Sequence, residues 1–520
     1  MITTFNPGTH TRTVDTLERR AETIWRLWFG GLLGISSLLG LSMIRTGPNL
    51  SLFGWCVYLS GVILILYRPR YGVYLTMGLG MAADVVLVYW FPFIKNFSSE
   101  ESLLFISNAV IVSPLETYLV LTFVSWLGRA VIQRKLEFFH TGVLFWPALM
   151  FISFVIFGLV YGIGRGGNLN IALWESRAMF YMPLMFVLTT NLIETRRHVS
   201  ILSWLVMIAI FVNAIAGVWF VVAVLGFDLS TVERIATHPT SIHANTFFIM
   251  TISAWIFYAS FARRLLLPVM MPVVLLSYFA NQRRAAFITL AIALVFVFAV
   301  LYWYNRKAFL MIMPVVAVVG VLYLGVFWNS TGALAMPARA IKSVIAEDES
   351  NERDQSSNVY RVLENLNIMY TINTVPVTGV GFGQKFYIVF PMPDISFAFE
   401  WWEYIPHNSF LWFWIKTGVG GFFSMLLLIA LAITKGFQSL ARMPGKDMSA
   451  ILLTSILYVI MHFVFTYVDM SWDTQSMIYI GMSLGIINSL ERIVAQPVPL
   501  PPNRWPWQRD PIPVPGLRPL

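Results

Sequence analysis

Charge is what this sequence has least of. Only 12% of its 520 residues are charged and 58% are hydrophobic, whereas a soluble domain carries about 25% charge. That balance excludes a soluble fold. Cysteine is scarcer still. The single one, Cys56, lies in an apolar run, so this chain builds no disulfide framework, zinc knuckle or thiolate cluster. No cofactor and no metal site is expected. His238 and His243 fall in an outer connection, at a spacing that does not share a helical face, with no cysteine or acidic cluster beside them. A formal charge of +9 would suggest nucleic acid in a soluble protein, but here Lys and Arg collect in short connections between apolar runs. Nucleic-acid binding is therefore not expected.

What the chain has in abundance is apolar sequence of membrane-spanning length. A helix rising about 1.5 Å per residue needs roughly 20 apolar residues to cross a hydrocarbon core near 30 Å thick. Fourteen stretches approach this, from about 24–44 and 50–67 to about 449–468 and 474–490. These include 71–93 and 244–261; the least regular are 103–127, interrupted by Pro114 and Glu116, and 265–281, short and with Pro268 and Pro272. The reading is an all-α polytopic membrane protein with about 12–14 transmembrane helices. The first two dozen residues are too mixed in charge for a signal peptide, and the first span is read as uncleaved.

Basic residues fall in alternate connections: Arg68 and Arg70, Arg129 with Arg134 and Lys135, Arg196 and Arg197, Arg263 and Arg264, Arg306 and Lys307, Lys435 with Arg442 and Lys446, then Arg492, Arg504 and Arg509. By the positive-inside rule these are cytoplasmic, which puts both termini in the cytoplasm. The chain then divides into a cytoplasmic segment 1–23, helices over 24–328, a large outer loop 329–406, further helices over 407–490 and a proline-rich cytoplasmic tail 491–520. The loop has an acidic centre at Glu347 to Asp354. Asn358 to Thr371 then carries Val359, Val362, Leu363, Leu366 and Met369 at helical spacing.

Several polar residues stand out against this background. Arg283 and Arg284 lie in an outer hairpin, where arginine is unexpected. Guanidinium groups there suit a phosphate or diphosphate, which they bind bidentately and without losing charge; the bland alternative is snorkelling to lipid headgroups. His407, in Pro406-His407-Asn408-Ser409, sits where the loop turns into a helix. The dipole there disfavours imidazolium, leaving a neutral ring able to act as a general base; the alternative is an interfacial polar residue. Arg361 taken alone reads as a solvated charge, and Arg177 either joins a cationic patch or pairs with Glu175. Gly379, Gly381 and Gly383 read as a backbone turn rather than a nucleotide fingerprint. Lys416, inside a span, needs a carboxylate, with Asp84 and Glu116 as candidates.

Together these motifs resemble the O-antigen ligase and O-antigen polymerase superfamily. The resemblance rests on Pro406-His407-Asn408-Ser409 followed by Gly418-Val419-Gly420-Gly421, on Gln282-Arg283-Arg284-Ala285-Ala286, on Arg361 ahead of the glycine turn, and on Glu175-Ser176-Arg177. It covers roughly residues 170–430. It implies a GT-C-like fold in a bacterial inner membrane and a metal-independent glycosyltransferase whose active site is periplasmic. The donor would be a glycan on undecaprenyl diphosphate. The acceptor would be lipid A core, a growing lipid-linked glycan or a protein, with membrane lipid as surroundings. His407 would be catalytic, Arg283, Arg284 and Arg361 would bind diphosphate, and Arg177, Asn408 and Gly381 would be accessory. Direct displacement would invert the anomeric carbon. The competing class is a transporter or flippase for a lipid-linked or small anionic substrate, with Asp84, Glu116, Lys416 and His462 as an ion pathway.

Overall fold

The computed structural model describes residues 23–496 apart from 24–25, 28, 39, 46, 48, 133–138, 230–231, 233, 331, 347–351 and 398. The N-terminal segment, the basic pair Arg134 and Lys135, the acidic run over 347–351 and the tail from Pro497 lie outside the described residues. The described chain is helical: α1 (Leu50–Tyr67), α2 (Arg70–Met81), α3 (Pro114–Ile132), α4 (Phe145–Gly164), α5 (Leu169–Leu192), α6 (Arg196–Trp219), α7 (His238–Ile256), α8 (Phe261–Ala280), α9 (Arg284–Tyr304), α10 (Arg306–Phe327), α11 (Met336–Ile345), α12 (Glu352–Thr374), α13 (Ser409–Arg442), α14 (Lys446–Val468) and α15 (Thr474–Ala495). Among the described residues 11 helices are long and apolar enough to cross a membrane, and a shorter apolar helix runs over Phe29–Arg45. This is a polytopic membrane protein.

The core lies around α14 and α15. In their most apolar stretches 89% and 78% of residues are buried, against none in α10. α14 packs against α7, α9, α13 and α15, while α5 lies along α15 and α4 along α13. The ends of these central helices nearest the long loop over 329–406 carry the polar groups described below.

Two expected spans change shape. The run over 71–93 gives a helix of only 12 residues ending at Met81, because the buried Asp84 accepts hydrogen bonds from Val86 N (2.8 Å), Thr237 N (3.0 Å) and the hydroxyls of Thr237 and Thr240. The run over 103–127 becomes helical only at Pro114. There Ser113 Oγ accepts from Glu116 N (3.2 Å) and Glu116 accepts from Ser113 N (2.5 Å), a reciprocal capping box with proline at the first helical position. Pro114 and Glu116 therefore start a helix rather than interrupt one. Helix α7 begins at His238, not near residue 244, so the two histidines lie on a helix rather than in a loop.

The long loop over 329–406 contains two helices. α12 covers the stretch expected from its apolar spacing, but it faces the other way. Val359, Val362, Leu366 and Met369 are exposed, and Glu364, Asn367, Ile368, Thr371 and Ile372 are buried. The polar side chains are inside because they hold the rest of the loop: Asn367 accepts from Val389 N and Phe390 N (2.8 Å each), and Thr371 accepts from Tyr387 N (2.9 Å).

After α12 the chain threads between α4, α5 and α13. Val380 N donates to Ile415 O (2.7 Å), Phe382 N to Gly158 O (3.1 Å) and Gly383 N to Glu175 Oε2 (2.6 Å). Gly381 has φ +88°, and a Cβ there would lie 2.4 Å from Gly162 Cα, so only glycine fits this crossing. α13 is 34 residues long and breaks at Gly418, which has φ 70° and ψ −177°. The break lets Val419 N donate to Pro376 O (3.1 Å) and tie the helix to the loop.

Candidate functional site

His407 lies two residues ahead of α13, whose N-cap is Asn408. Glu364 of α12 accepts from His407 backbone N (2.9 Å) and pairs with its Nδ1 (3.1 Å). Glu364 is buried, while the His407 side chain is one-third exposed. The Tyr360 ring meets the imidazole edge-on at 5.6 Å between centroids. With Nδ1 on the carboxylate, Nε2 is the nitrogen available to take a proton.

The neutral ring expected from the helix terminus is not what its surroundings favour. Burial works against the charged ring, but the hydrogen bond and charge of Glu364, assisted by Asp469, raise the His407 pKa above its ordinary value, with Arg361 opposing them.

Asp469 follows the last residue of α14 and is 3% exposed. Its Oδ2 pairs with His238 Nδ1 at 2.6 Å. Burial alone would push this carboxyl up, yet His238, Arg283 and Arg361 together hold it well below the usual carboxylate range. Arg283 and Arg361, remote in sequence, thus act on one carboxylate, and that carboxylate also acts on His407. Arg234 joins Arg283 near His238.

Local structure sets Arg283 in place. Gln282 takes the left-handed conformation (φ 52°) and donates to Leu229 O (3.0 Å). Asn281 accepts from Ala236 N (2.9 Å) and donates to Ser241 Oγ (2.7 Å). The hairpin is thereby fastened to the segment that carries Arg234 and His238. Arg283 is the N-cap residue of α9 and Arg284 its first helical residue; of the two, Arg283 is the one whose charge acts on Asp469.

The remaining singled-out residues have other surroundings. Arg177 pairs with Glu116, not Glu175, and donates to Asn96 (3.0 Å) and Tyr181 (3.1 Å). Lys416 pairs with Glu175 at 2.8 Å, both side chains fully buried, rather than with Asp84 or Glu116. Lys416 also donates to Gln384 O (2.6 Å), so this pair clamps the end of the glycine segment. Asn408 accepts from Leu411 N (3.1 Å) and donates to Asn365 (3.0 Å), a capping role. Gly381 is a backbone crossing. His243 meets Ser476 Oγ at 3.3 Å, away from His238. Among the described residues no three His, Cys, Asp or Glu side chains converge as a metal site.

Glu364, Asp469, His238 and Arg234 complete the cluster and were not assigned to it from sequence. Glu364 lies three residues after Arg361 on one helical face, the only local signal among the four. Residues 269–426 match the family described as O-antigen ligase. The matched segment contains Arg283, Arg361, Glu364 and His407. No curated protein matches the chain.

Proposed function

We propose that this chain, whose residues 269–426 match the O-antigen ligase family, belongs to the O-antigen ligase and polymerase superfamily and transfers a glycan from undecaprenyl diphosphate to an acceptor hydroxyl at the outer face of a bacterial inner membrane. The observation that carries the reading is the His407–Glu364 pair, near the His238–Asp469 pair and in the field of Arg283 and Arg361. An anion held by the arginines would lie next to a base.

In the reaction, the acceptor oxygen attacks the anomeric carbon and its proton passes to His407 Nε2. The bond between that carbon and the phosphate oxygen breaks, and its electron pair leaves on the diphosphate, where Arg283 and Arg361 stabilise the growing charge. The Glu364 carboxylate fixes the ring and stabilises the imidazolium that forms. A single displacement inverts the anomeric carbon. No metal takes part. The alternating basic connections support a periplasmic site with both termini cytoplasmic.

Three of the four groups that would form a transporter's ion pathway are engaged separately: Asp84 with Thr237 and Thr240, Glu116 with Arg177, Lys416 with Glu175; the fourth, His462, is fully buried with neither ring nitrogen hydrogen-bonded.

The test is glycan profiling in a deletion strain complemented with wild type, His407→Ala or Arg361→Ala. Long glycans accumulating on the lipid carrier identify a ligase, and single repeat units identify a polymerase. A wild-type profile from both variants sinks the assignment.

A further inference from the structure

Beside the His407 cluster is a cavity of about 170 Å³ that the mechanism above does not use. It lies between the first turns of α5, the turn into α13 and the linker from α14 to α15. Its lining includes Trp174, Arg177, Ser409, Trp412, Trp472 and Asp473. Asp469 and Asp473 stand at opposite ends of one linker. Asp469 belongs to the arginine cluster, and Met470 and Trp472 to Thr474 line the cavity. Ser409 bridges the two, lining the cavity and donating to Asp469 O at 3.4 Å. His407 is two residues from Ser409 and two from Ile405, another lining residue, so it stands at the seam.

The lining has a specific chemistry. Three tryptophans border a space larger than the roughly 150 Å³ cavity known to admit a six-membered aromatic ring. An indole face carries negative charge and attracts the weakly positive C–H face of a pyranose. Two polar groups of the lining have no partner: the indole N–H of Trp472, a residue 5% exposed, and Oδ1 of Asp473, whose Oδ2 caps α15. A buried donor and a buried acceptor without partners are costly; both are sealed from the cavity as the side chains stand, so a small turn of Trp472 or Asp473 toward the space would let sugar hydroxyls complement them. Arg177 is already neutralised by Glu116, so the cavity does not select an anion.

We infer that this cavity is the acceptor subsite and takes a neutral pyranose of the acceptor glycan, so that its hydroxyl meets His407 from the side opposite the arginines. The inference rests on the transferase reading for the word acceptor. That the cavity binds a sugar rests on the lining alone.

The experiment is saturation-transfer-difference NMR on the full chain in lipid nanodiscs, with methyl β-glucopyranoside and methyl N-acetyl-β-glucosaminide as probes. Wild type transfers signal to the ring protons of at least one probe. Trp174→Ala, at a position 41% exposed, and Asp473→Asn, which keeps an oxygen for the cap, each reduce it by about fivefold. Trp303→Ala, removing an indole 87% exposed elsewhere, leaves it unchanged and controls for stacking on surface tryptophans. No wild-type signal, or signal retained in both cavity variants, overturns the subsite. Adding a lipid-diphosphate-linked glycan leaves the signal in place if the cavity serves the acceptor; displacement assigns it to the donor sugar and overturns the inference. The measurement needs no turnover, so it fails or succeeds independently of the glycan profiles.

Discussion

Glu364 holds His407 twice, through the backbone amide at 2.9 Å and through Nδ1 at 3.1 Å, across 43 residues of chain. One carboxylate thereby fixes both the turn into α13 and the orientation of the ring. For a general base the consequence is a sign that can be worked out. His407 must be neutral to accept a proton, so activity falls as pH drops through its pKa. Glu364 raises that pKa, which places the acid limb of the rate profile above that of an ordinary histidine. Glu364→Gln removes the charge and moves the limb to lower pH, while kcat falls by about tenfold or more as the imidazolium loses its stabilising partner. A limb unmoved in the variant would remove His407 as the titrating base.

The two adjacent arginines are expected to separate. Arg283 acts on Asp469 and shares that carboxylate with Arg361. Lysine keeps the charge but not the bidentate fork. Arg283→Lys and Arg361→Lys should each lower kcat/KM by about tenfold or more, equivalent to roughly 1.4 kcal/mol, and Arg284→Lys by no more than about threefold. Steady-state transfer assays with purified protein and lipid-linked donor decide it. Equal losses at Arg283 and Arg284 would contradict the assignment.

The Lys416–Glu175 pair is predicted to matter for stability before chemistry. Both side chains are fully buried, and the pair also holds Gly383 N and Gln384 O. Glu175→Leu strands the ammonium, a change that costs about 3–5 kcal/mol in buried pairs. A lower thermal unfolding midpoint in detergent is expected. Lys416→Met with Glu175→Leu recovers part of the loss but not all, since two backbone groups of the glycine segment stay unpartnered.

Two glycines near the same crossing should respond oppositely to alanine. At Gly381 the backbone is left-handed and the added carbon would lie 2.4 Å from Gly162 Cα; at Gly164 it would meet nothing within 4 Å. Gly381→Ala should abolish or sharply reduce folded yield, and Gly164→Ala should leave it unchanged within about 0.5 kcal/mol. Size-exclusion profiles of the expressed variants report both.

His407 was legible because proline, histidine and a capping asparagine mark a helix start at a membrane boundary. Arg283 and Arg284 stood out together because both break the charge bias, and nothing local separated one from the other. The partners of His407 and Arg283 were not legible. Glu364 and Asp469 come to His407 through packing of α12 and α14; Glu364 shares a helical face with Arg361, but nothing local to Asp469 announces its place. The partner of Lys416 was misassigned for the same reason: which carboxylate faces a buried cation depends on which elements are neighbours, and α5, rather than α3 or the connection after α2, supplies it. The face of α12 was inverted because apolar spacing normally marks the buried side, whereas here the polar side chains are buried as ties to the loop and to His407. At Ser113 to Glu116 the signal was present as a capping pattern, but the apolar residues ahead of it suggested a helix already under way.

The break at Gly418 has a consequence for where Lys416 resides. Lys435 and Arg442, at the other end of α13, engage Glu491. From Lys435 to Lys416 the helix rises about 28 Å, close to the full thickness of a hydrocarbon layer. Lys416 therefore reaches the far boundary of that layer, on the short piece of α13 before the break, and its insulation is made of α4, α5 and the glycine segment instead of acyl chains. The ion pair that anchors the long loop is thus enclosed by polypeptide on every side, with no surface left for an acyl chain to touch.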